Sequence, residues 1–400
     1  MPQWAPTPTS SFSSARDDLN AATTQATALQ DALTAGDGPR ATSALAAMQA
    51  NVDSADSTLG SPIFSIAAKV PFVGKNIAAV RTVTTAVKDI ADNGLPPLVD
   101  VASEFNAKTF NPQGGTIDVA AIEKLAPNVK QSSGVINAAA KQINSIDADS
   151  LLGAVQKPVR DAQDKIGSAA DIAARASIAS AIAPGMLNGK HRYLLLFQNN
   201  AEIRATGGLP GAWAILTVND GKIALGEQGN GGSMGDLPDD VTSISDEELE
   251  LFGPGLVRDF RNINFTPDFP RAASIGTKIL KQERDIAVDG VVSLDPVTLS
   301  YILKGTGPIT LPDGTVLTDS NAVDVLLNSV YVNYPDGKEQ DAFFADATDQ
   351  ILAKVLDGAG DPTKVLSALT RATNERRVAV WSKDKATQSQ RAGTALAGGS

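Results

Sequence analysis

A run of polar residues directly after an apolar strand could form a binding site. The strand Tyr193–Phe197 is continuously apolar, and amide side chains and two glycines follow it: Gln198, Asn199, Asn200, Gly207 and Gly208. Glycine backbone can approach an anion closely because it has no Cβ. We therefore expect these five residues to contact a substrate. The alternative is a capped turn, in which Asn199 and Asn200 bond backbone groups and Arg204 pairs with Glu202 or Asp268.

Arginines and aspartates alternate farther along the chain, although its net charge is −11. The cluster consists of Arg258, Asp259, Arg261, Asp268 and Arg271. Guanidinium groups donate paired hydrogen bonds to phosphate, and neighbouring carboxylates can hold Mg²⁺ on the same phosphates. We expect Arg204, Arg258, Arg261 and Arg271 to bind phosphate. Structural ion pairs are the alternative explanation of the cluster.

Carboxylates suggest a metal site at two positions only. Asp268 precedes a predicted helix and Asp289 precedes a predicted strand, and we expect these two residues to be the metal ligands. The acidic residues between Asp236 and Glu250 lack the spacing of a calcium loop, which favours a solvated lid. Hydrolysis by paired carboxylates remains an alternative without a spacing that selects an acid and a nucleophile.

Composition excludes several kinds of chemistry. The acidic net charge of −11 argues against nucleic-acid binding, which needs a basic face. The absence of cysteine removes disulfides, thiol nucleophiles and thiolate metal sites, and the single histidine, His191, excludes a histidine-rich zinc site. The sequence has no run of about 18 apolar residues, so we expect any membrane anchor to lie outside residues 1–400.

Residues 1–188 are predicted to form an all-α bundle or coiled-coil stalk. Apolar residues recur at spacings of three and four, and Gly36-Asp37-Gly38-Pro39 is typical of a helical hairpin. Asn93-Gly94 predicts a left-handed helix end. An intramolecular antiparallel bundle is favoured over an intermolecular coiled coil, although the helical region could also bind protein partners.

Residues 189–382 are predicted to form an α/β domain with a mixed sheet and flanking helices. Asn219–Lys222 predicts a hairpin between Trp213–Val218 and Ile223–Glu227. Asp268 and Asp295 each precede a proline-containing helix start and are predicted caps. A second hairpin is predicted within Pro308–Thr318, followed by three helices and a final strand. Residues 383–400 are predicted to be a tail or linker.

Three segments, Tyr193–Gly208, Asn264–Pro270 and Val288–Gly290, together resemble the actinobacterial domain-of-unknown-function 4012 family. The resemblance covers about residues 190–382. It implies an envelope protein with one N-terminal membrane helix, a helical stalk and this domain, often encoded beside polysaccharide-assembly genes. An extracytoplasmic, membrane-anchored location in the cell envelope is therefore expected for the full-length protein.

The order of elements also resembles the LytR-CpsA-Psr enzymes, which transfer glycopolymers from polyprenyl pyrophosphate to the cell wall with arginines, aspartates and magnesium. This resemblance implies a phosphotransferase that acts with Mg²⁺ on a polyprenyl-phosphate-linked glycan or cell-wall polymer, with Arg204, Asp268 and Glu202 as catalytic residues. Gln198-Asn199-Asn200 stands where those enzymes have an acidic and basic motif. The alternative is a non-catalytic scaffold that binds envelope glycan or its lipid carrier.

Overall fold

A computed structural model of the protein describes residues 8–70, 73–101, 112 and 114–391. The chain divides into two compact units, one formed by residues 1–107 and 120–181 and the other by residues 108–119 and 182–400. The part of the predicted tail after residue 391 lies outside the described residues. The helix Lys385–Arg391 occupies the earlier part of that tail.

The first unit is helical. Its α-helices are α1 (Pro8–Ala35), α2 (Gly38–Gly60), α3 (Pro62–Ala67), α4 (Val73–Asp89), α5 (Pro96–Val101), α6 (Val119–Asn144) and α7 (Gly153–Leu187). The predicted hairpin between α1 and α2 is confirmed, because Asp37 accepts a hydrogen bond from the Arg40 backbone N–H at 3.0 Å and Pro39 lies in the first turn of α2.

The helical unit departs from the sequence prediction at Gly94. α4 continues into a π-helix over Ile90–Gly94, and the residue after it, Leu95, is right-handed. A Cβ on Gly94 would lie 3.3 Å from Val135 Cγ1, so this glycine allows close helix packing. The predicted left-handed helix end is therefore wrong. The missing side chain of Gly94 allows close packing against α6 and does not serve a reversal of the chain.

α7 is the helix in the described part of the chain whose length and composition would allow it to cross a membrane. Only 11% of its most apolar 18-residue window is buried. One helix of this kind does not by itself indicate a membrane protein.

The second unit contains a mixed five-stranded sheet in the order β3-β2-β1-β4-β7. A separate two-stranded ribbon is formed by β5 and β6. The strands are β1 (Lys190–Asn199), β2 (Leu209–Asn219), β3 (Lys222–Asn230), β4 (Gly290–Leu294), β5 (Ile309–Thr310), β6 (Val316–Leu317) and β7 (Ala379–Ser382). The two predicted hairpins, β2–β3 and β5–β6, are confirmed. Asp220 and Gly221 both have positive φ in the first of them, as a tight hairpin turn requires.

β1 and β4 form the parallel pair at the centre of this sheet, and the other pairs are antiparallel. Leu194 and Leu196 of β1 belong to one buried core, while Leu195 belongs to a second. β1 is therefore covered on both faces, which explains its continuous apolar sequence.

Helices cover the two faces of the sheet. The α-helices of this unit are α8 (Asp246–Phe252), α9 (Phe269–Arg284), α10 (Pro296–Thr306), α11 (Ala322–Asp324), α12 (Val330–Asn333), α13 (Gly337–Leu356), α14 (Pro362–Asn374) and α15 (Lys385–Arg391). Residues of α9 belong to the core that contains Leu194, and residues of α10 and α13 belong to the core that contains Leu195. The chain is thus a helical region followed by an α/β unit with a mixed sheet.

Asp295 caps α10 as predicted, accepting from the Thr298 backbone N–H at 2.7 Å. Asp268 is the N-cap residue of α9, as predicted, but its side chain accepts no capping hydrogen bond. The Asp268 backbone N–H instead donates to Thr266 Oγ1 at 3.2 Å.

Candidate functional site

The polar run after Phe197 lies at the carboxyl end of the parallel pair β1–β4. Phe197 pairs with Leu294 at the end of β4, and the register of β1 against β2 shifts between Phe197 and Gln198. Ligands of α/β sheets commonly bind beyond the carboxyl ends of parallel strands, and bulges often redirect side chains there. The polar run therefore lies at the end of the sheet where a ligand site is expected.

Gln198 and Asn199 are buried and bonded to neighbouring elements. Gln198 Nε2 donates to the Ser293 hydroxyl on β4, and Asn199 Nδ2 donates to the Tyr331 hydroxyl on α12. Asn199 Oδ1 accepts from the Ala201 backbone N–H at 2.9 Å, as the capped-turn alternative required. These amides thus hold the loop against the sheet.

Gly207 and Gly208 pack closely against residues that precede them in the chain. A Cβ on Gly207, whose φ is +128°, would lie 1.9 Å from Gln198 Oε1. A Cβ on Gly208 would lie 2.4 Å from the Asn199 backbone oxygen. The space freed by the missing Cβ atoms is therefore taken by the protein's own chain.

Asn264 ties this loop to the 3-10 helix Phe260–Phe265. It is fully buried, and its Nδ2 donates to the Gly208 backbone oxygen at 2.8 Å. Its Oδ1 and that of Asn200 are buried without a hydrogen-bond partner. We did not assign Asn264 a site role from the sequence, because an isolated asparagine between apolar residues gives no local signal of burial.

Arg204 lies on this loop and packs against an aromatic ring. Its guanidinium carbon is 4.8 Å from the centroid of the Phe265 ring, a cation–π distance. Its nearest carboxylate is Glu202, 3.8 Å away, and its Nε is buried without a partner. Arg204 is thus weakly neutralised compared with the other predicted phosphate ligands.

The other three arginines each form a close carboxylate pair. Arg258 binds Asp240 at 2.6 Å, Arg261 binds Asp259 at 2.7 and 3.0 Å, and Arg271 binds Glu248 at 2.8 and 2.9 Å. The Arg271 hydrogen bond is the main cause that lowers the pKa of Glu248. Hydrogen bonding to Asp259 is likewise the main cause that raises the pKa of Arg261. Each of these arginines thus has a close ion-pair partner, as the alternative explanation of the cluster required.

Asp268 and Asp289 lie at the two ends of the segment that contains α9. This helix has 16 residues, which corresponds to roughly 24 Å at the usual rise per residue. The carboxylate of Asp289 accepts from the Arg192 backbone N–H at 2.9 Å, beside the amino end of β1. The predicted metal ligands are therefore not brought together. No group of three or more metal-ligating side chains occurs in the described residues.

A pocket of about 230 Å³ lies beside the end of β1. It is lined by polar side chains of Gln198, Asn199, Glu202, Arg261, Tyr331 and Gln340 and by apolar residues that include Phe197, Leu209, Leu299 and Phe344. Tyr331, Gln340 and Phe344 come from α12 and α13, more than 130 residues after β1 in the chain. We did not predict them as site residues because only the fold brings these distant helices to the strand end.

Residues 188–331 match the model of the family described as Protein of unknown function (DUF4012). The match supports the family resemblance seen in the sequence. It includes every predicted site residue, from Gln198 to Asp289, and it ends at Tyr331. No curated protein matches the chain.

The matched segment supplies most of the residues that line the pocket, and the α13 residues that line it lie beyond the matched range. Of the predicted site residues, Gln198, Asn199 and Arg261 line this pocket together with Glu202. Arg204, Gly207 and Gly208 lie in the adjoining loop, whereas Arg258 and Arg271 are held in their own ion pairs.

Proposed function

We propose that the α/β unit is a non-catalytic binding module of the cell envelope that holds a sugar unit of an envelope glycan beside the end of β1. The observation that supports this proposal best is the chemistry of the 230 Å³ pocket, in which polar side chains, including Glu202, Arg261 and Tyr331, are combined with apolar and aromatic walls. Sugar hydroxyls both donate and accept hydrogen bonds, so they can bond to the Glu202 carboxylate, the Arg261 guanidinium and the Tyr331 hydroxyl of this pocket. The apolar faces of a sugar ring can pack against aromatic walls.

Binding fits the arrangement of charged groups better than phosphoryl transfer does. Transfer needs positive groups that are free to hold the pyrophosphate and stabilise developing charge. Arg258, Arg261 and Arg271 instead have close carboxylate partners. Gly207 and Gly208 face their own chain at distances that leave no room for a Cβ, so they support loop packing rather than an anion cradle.

Blocking the pocket tests the proposal. Gly337 lines the pocket and has nothing within 4 Å of its Cβ position, so Gly337→Trp adds bulk at this place with little strain. Gly185, in α7, is equally open but does not line the pocket, which makes Gly185→Trp the matched control. Binding of soluble cell-wall polysaccharide fragments would be measured by calorimetry. We expect Gly337→Trp to weaken binding at least tenfold and Gly185→Trp to leave it unchanged.

Equal binding by wild type and both variants would refute the assignment of this pocket. Absence of binding by the wild-type protein to neutral and anionic fragments alike would refute the proposed ligand class. A thermal melt of each variant shows whether the added tryptophan has changed the fold instead of the site.

A second proposal is the glycopolymer phosphotransferase that the LytR-CpsA-Psr resemblance implies. Arg204 favours it, because its nearest carboxylate is 3.8 Å away and its buried Nε has no partner. In this proposal Arg204 and Arg261 hold the pyrophosphate of a polyprenyl-linked glycan and Glu202 acts as the base. Asp268 and Asp289 do not fit a shared Mg²⁺ because α9 separates them, and no step is assigned to the ion.

Transfer of glycan from a purified polyprenyl-pyrophosphate donor to cell-wall acceptor distinguishes the two proposals. The phosphotransferase proposal expects turnover by the wild-type protein and its loss in Arg204→Ala. It also expects retained turnover in Arg258→Ala, because Arg258 has its own partner, Asp240, and does not line the pocket. Binding of glycan without turnover supports the binding module. Turnover that is unchanged in Arg204→Ala refutes the role of this arginine.

A further inference from the structure

The helical unit contains a second and larger cavity of about 780 Å³. Helices α1, α4, α6 and α7 form most of its walls, and α2 and α5 contribute Met48 and Leu98. Small-molecule sites typically have volumes of about 300–1,000 Å³ and mainly apolar walls. By both criteria this cavity is large enough for an organic ligand.

Alanines form a row in the wall that α7 contributes to this cavity. Ala162, Ala169, Ala173 and Ala176 line it, at spacings of three, four and seven residues along one side of the helix. Closely packed protein interiors contain few voids larger than a water molecule. A filled bundle would need larger residues at these positions, so the alanines leave room for something else.

A buried hydroxyl in the wall lacks a partner. Ser132 of α6 lines the cavity and is 1% exposed, and its Oγ makes no hydrogen bond. Its neighbour Ser133 is also buried, but its hydroxyl accepts from Asn137 Nδ2 at 3.2 Å. An unsatisfied buried hydroxyl destabilises a fold unless a ligand or water bonds to it. Ser132 thus marks a place where a polar atom of a ligand fits into an apolar wall.

Basic side chains lie among the exposed lining residues. Lys165 and Arg16 both line the cavity, with Asp161 as the carboxylate among them. Lys165 has no ion-pair partner in the described residues, and Arg16 has only the exposed Asp17 at 3.5 Å. These cations could accept the anionic end of a ligand whose apolar part occupies the cavity.

We propose that the helical unit binds one long-chain amphiphile, with its apolar chain in this cavity and its anionic head near Lys165 and Arg16. The unpartnered Ser132 hydroxyl and the two cations among the lining residues favour an amphiphile over the apolar face of a partner helix. This proposal concerns other residues than the glycan pocket and does not depend on it.

Binding of the fluorescent fatty acid cis-parinaric acid to the full chain tests the proposal. Ala169 lines the cavity and is exposed on α7, so Ala169→Phe should fill part of the cavity without overpacking a core. Ala179 is an exposed alanine of the same helix that does not line the cavity, and Ala179→Phe is the matched control. We expect saturable binding with one site, at least tenfold weaker in Ala169→Phe and unchanged in Ala179→Phe. Hexadecyl phosphate should displace the probe, because it also combines a long apolar chain with an anionic head.

Binding that does not saturate, or that is equal in the two alanine variants, would overturn the proposal. Sedimentation showing a stable dimer of this chain without probe binding would also overturn it and assign the surface to a second copy. If circular dichroism shows that Ala169→Phe loses helix, Lys165→Glu provides an independent test. That variant should bind cis-parinaric acid several-fold more weakly but bind its uncharged methyl ester as the wild type does, and equal loss for both probes would exclude the proposed head position.

Discussion

Replacing Gly208 with alanine tests whether the glycines after β1 serve packing or anion binding. The Cβ of an alanine at this position would lie 2.4 Å from the Asn199 backbone oxygen and 2.6 Å from its carbonyl carbon. Overpacking a well-packed site usually costs about 1–3 kcal/mol. Because the contacted atoms belong to the backbone and cannot move aside as a side chain can, we expect a loss at the upper end, about 3 kcal/mol.

Gly211 provides a matched control three residues farther along. A Cβ on Gly211 would lie 3.7 Å from Asn199 Cβ, which is an ordinary contact. Glycine-to-alanine changes at compatible positions typically stabilise a protein by about 0.4–1 kcal/mol through the unfolded state. We therefore expect Gly211→Ala to be neutral or slightly stabilising, although Gly211 lines the pocket beside β1.

Urea unfolding followed by tryptophan fluorescence measures the difference, because Trp213 is 1% exposed in β2 and reports on this unit. With a slope of about 2 kcal/mol per molar urea, a loss of about 3 kcal/mol lowers the midpoint by roughly 1.5 M. An unchanged midpoint for Gly208→Ala would refute the packing argument. If the Gly208→Ala protein had normal stability but had lost pyrophosphate binding, the hypothesis that these glycines contact an anion would be supported instead.

Three further predictions concern the surrounding structure. Hydrogen bonds from Arg377, Arg371 and a neighbouring tyrosine lower the pKa of Glu375 from 4.5 to about 2. The ionised carboxylate therefore stabilises the fold fully above about pH 4.5, and this stabilisation is lost as the pH falls toward 2. Over this range the melting temperature of Glu375→Gln should fall less than that of the wild type. Arg377→Ala should lower the free energy of unfolding by about 3 kcal/mol, because it leaves the side chain of Asp295, which is 4% exposed, without its cation. Arg371→Ala should lower it much less, because that change leaves no buried carboxylate unpaired. The Ser132→Ala protein should melt at a higher temperature than the Ser133→Ala protein, because both changes favour a helix equally but only the second removes a hydrogen bond. Equal melting temperatures would show that the Ser132 hydroxyl has a hydrogen-bond partner.

The proposed roles of the two units can be tested separately. Gly337→Trp changes the glycan pocket in the α/β unit, and Ala169→Phe changes the cavity in the helical unit. If the two proposals hold, each variant should lose one ligand and keep the other. Loss of both ligands in either variant would indicate a general folding defect, which a thermal melt would reveal.

Features whose causes are local in the chain could be predicted from the sequence. The hairpin at Asn219–Lys222 follows from a turn sequence that accepts positive φ, and the start of α10 follows from Asp295 and Pro296. The continuous apolar run of β1 correctly indicated a strand covered on both faces. Each of these predictions depends only on neighbouring residues in the chain and on the free-energy cost of burying polar groups.

Features that depend on contacts between distant residues could not be predicted in this way. The sequence predicted four arginines as phosphate ligands. Only the fold pairs Arg258 with Asp240 and Arg271 with Glu248 and leaves Arg204 with a more distant partner. A charged residue takes whichever partner the tertiary structure brings within reach, and spacing along the chain does not define that partner.

The polar run after Phe197 shows the same division. Residue types alone placed it after a buried strand and identified its amides and glycines as unusual. Only the tertiary structure decided that Gln198 fills the space beside Gly207 and that helices from much later in the chain complete the pocket. The physical reason is that a backbone preference is a property of a few consecutive residues, whereas the occupant of a space is decided by every element that packs around it.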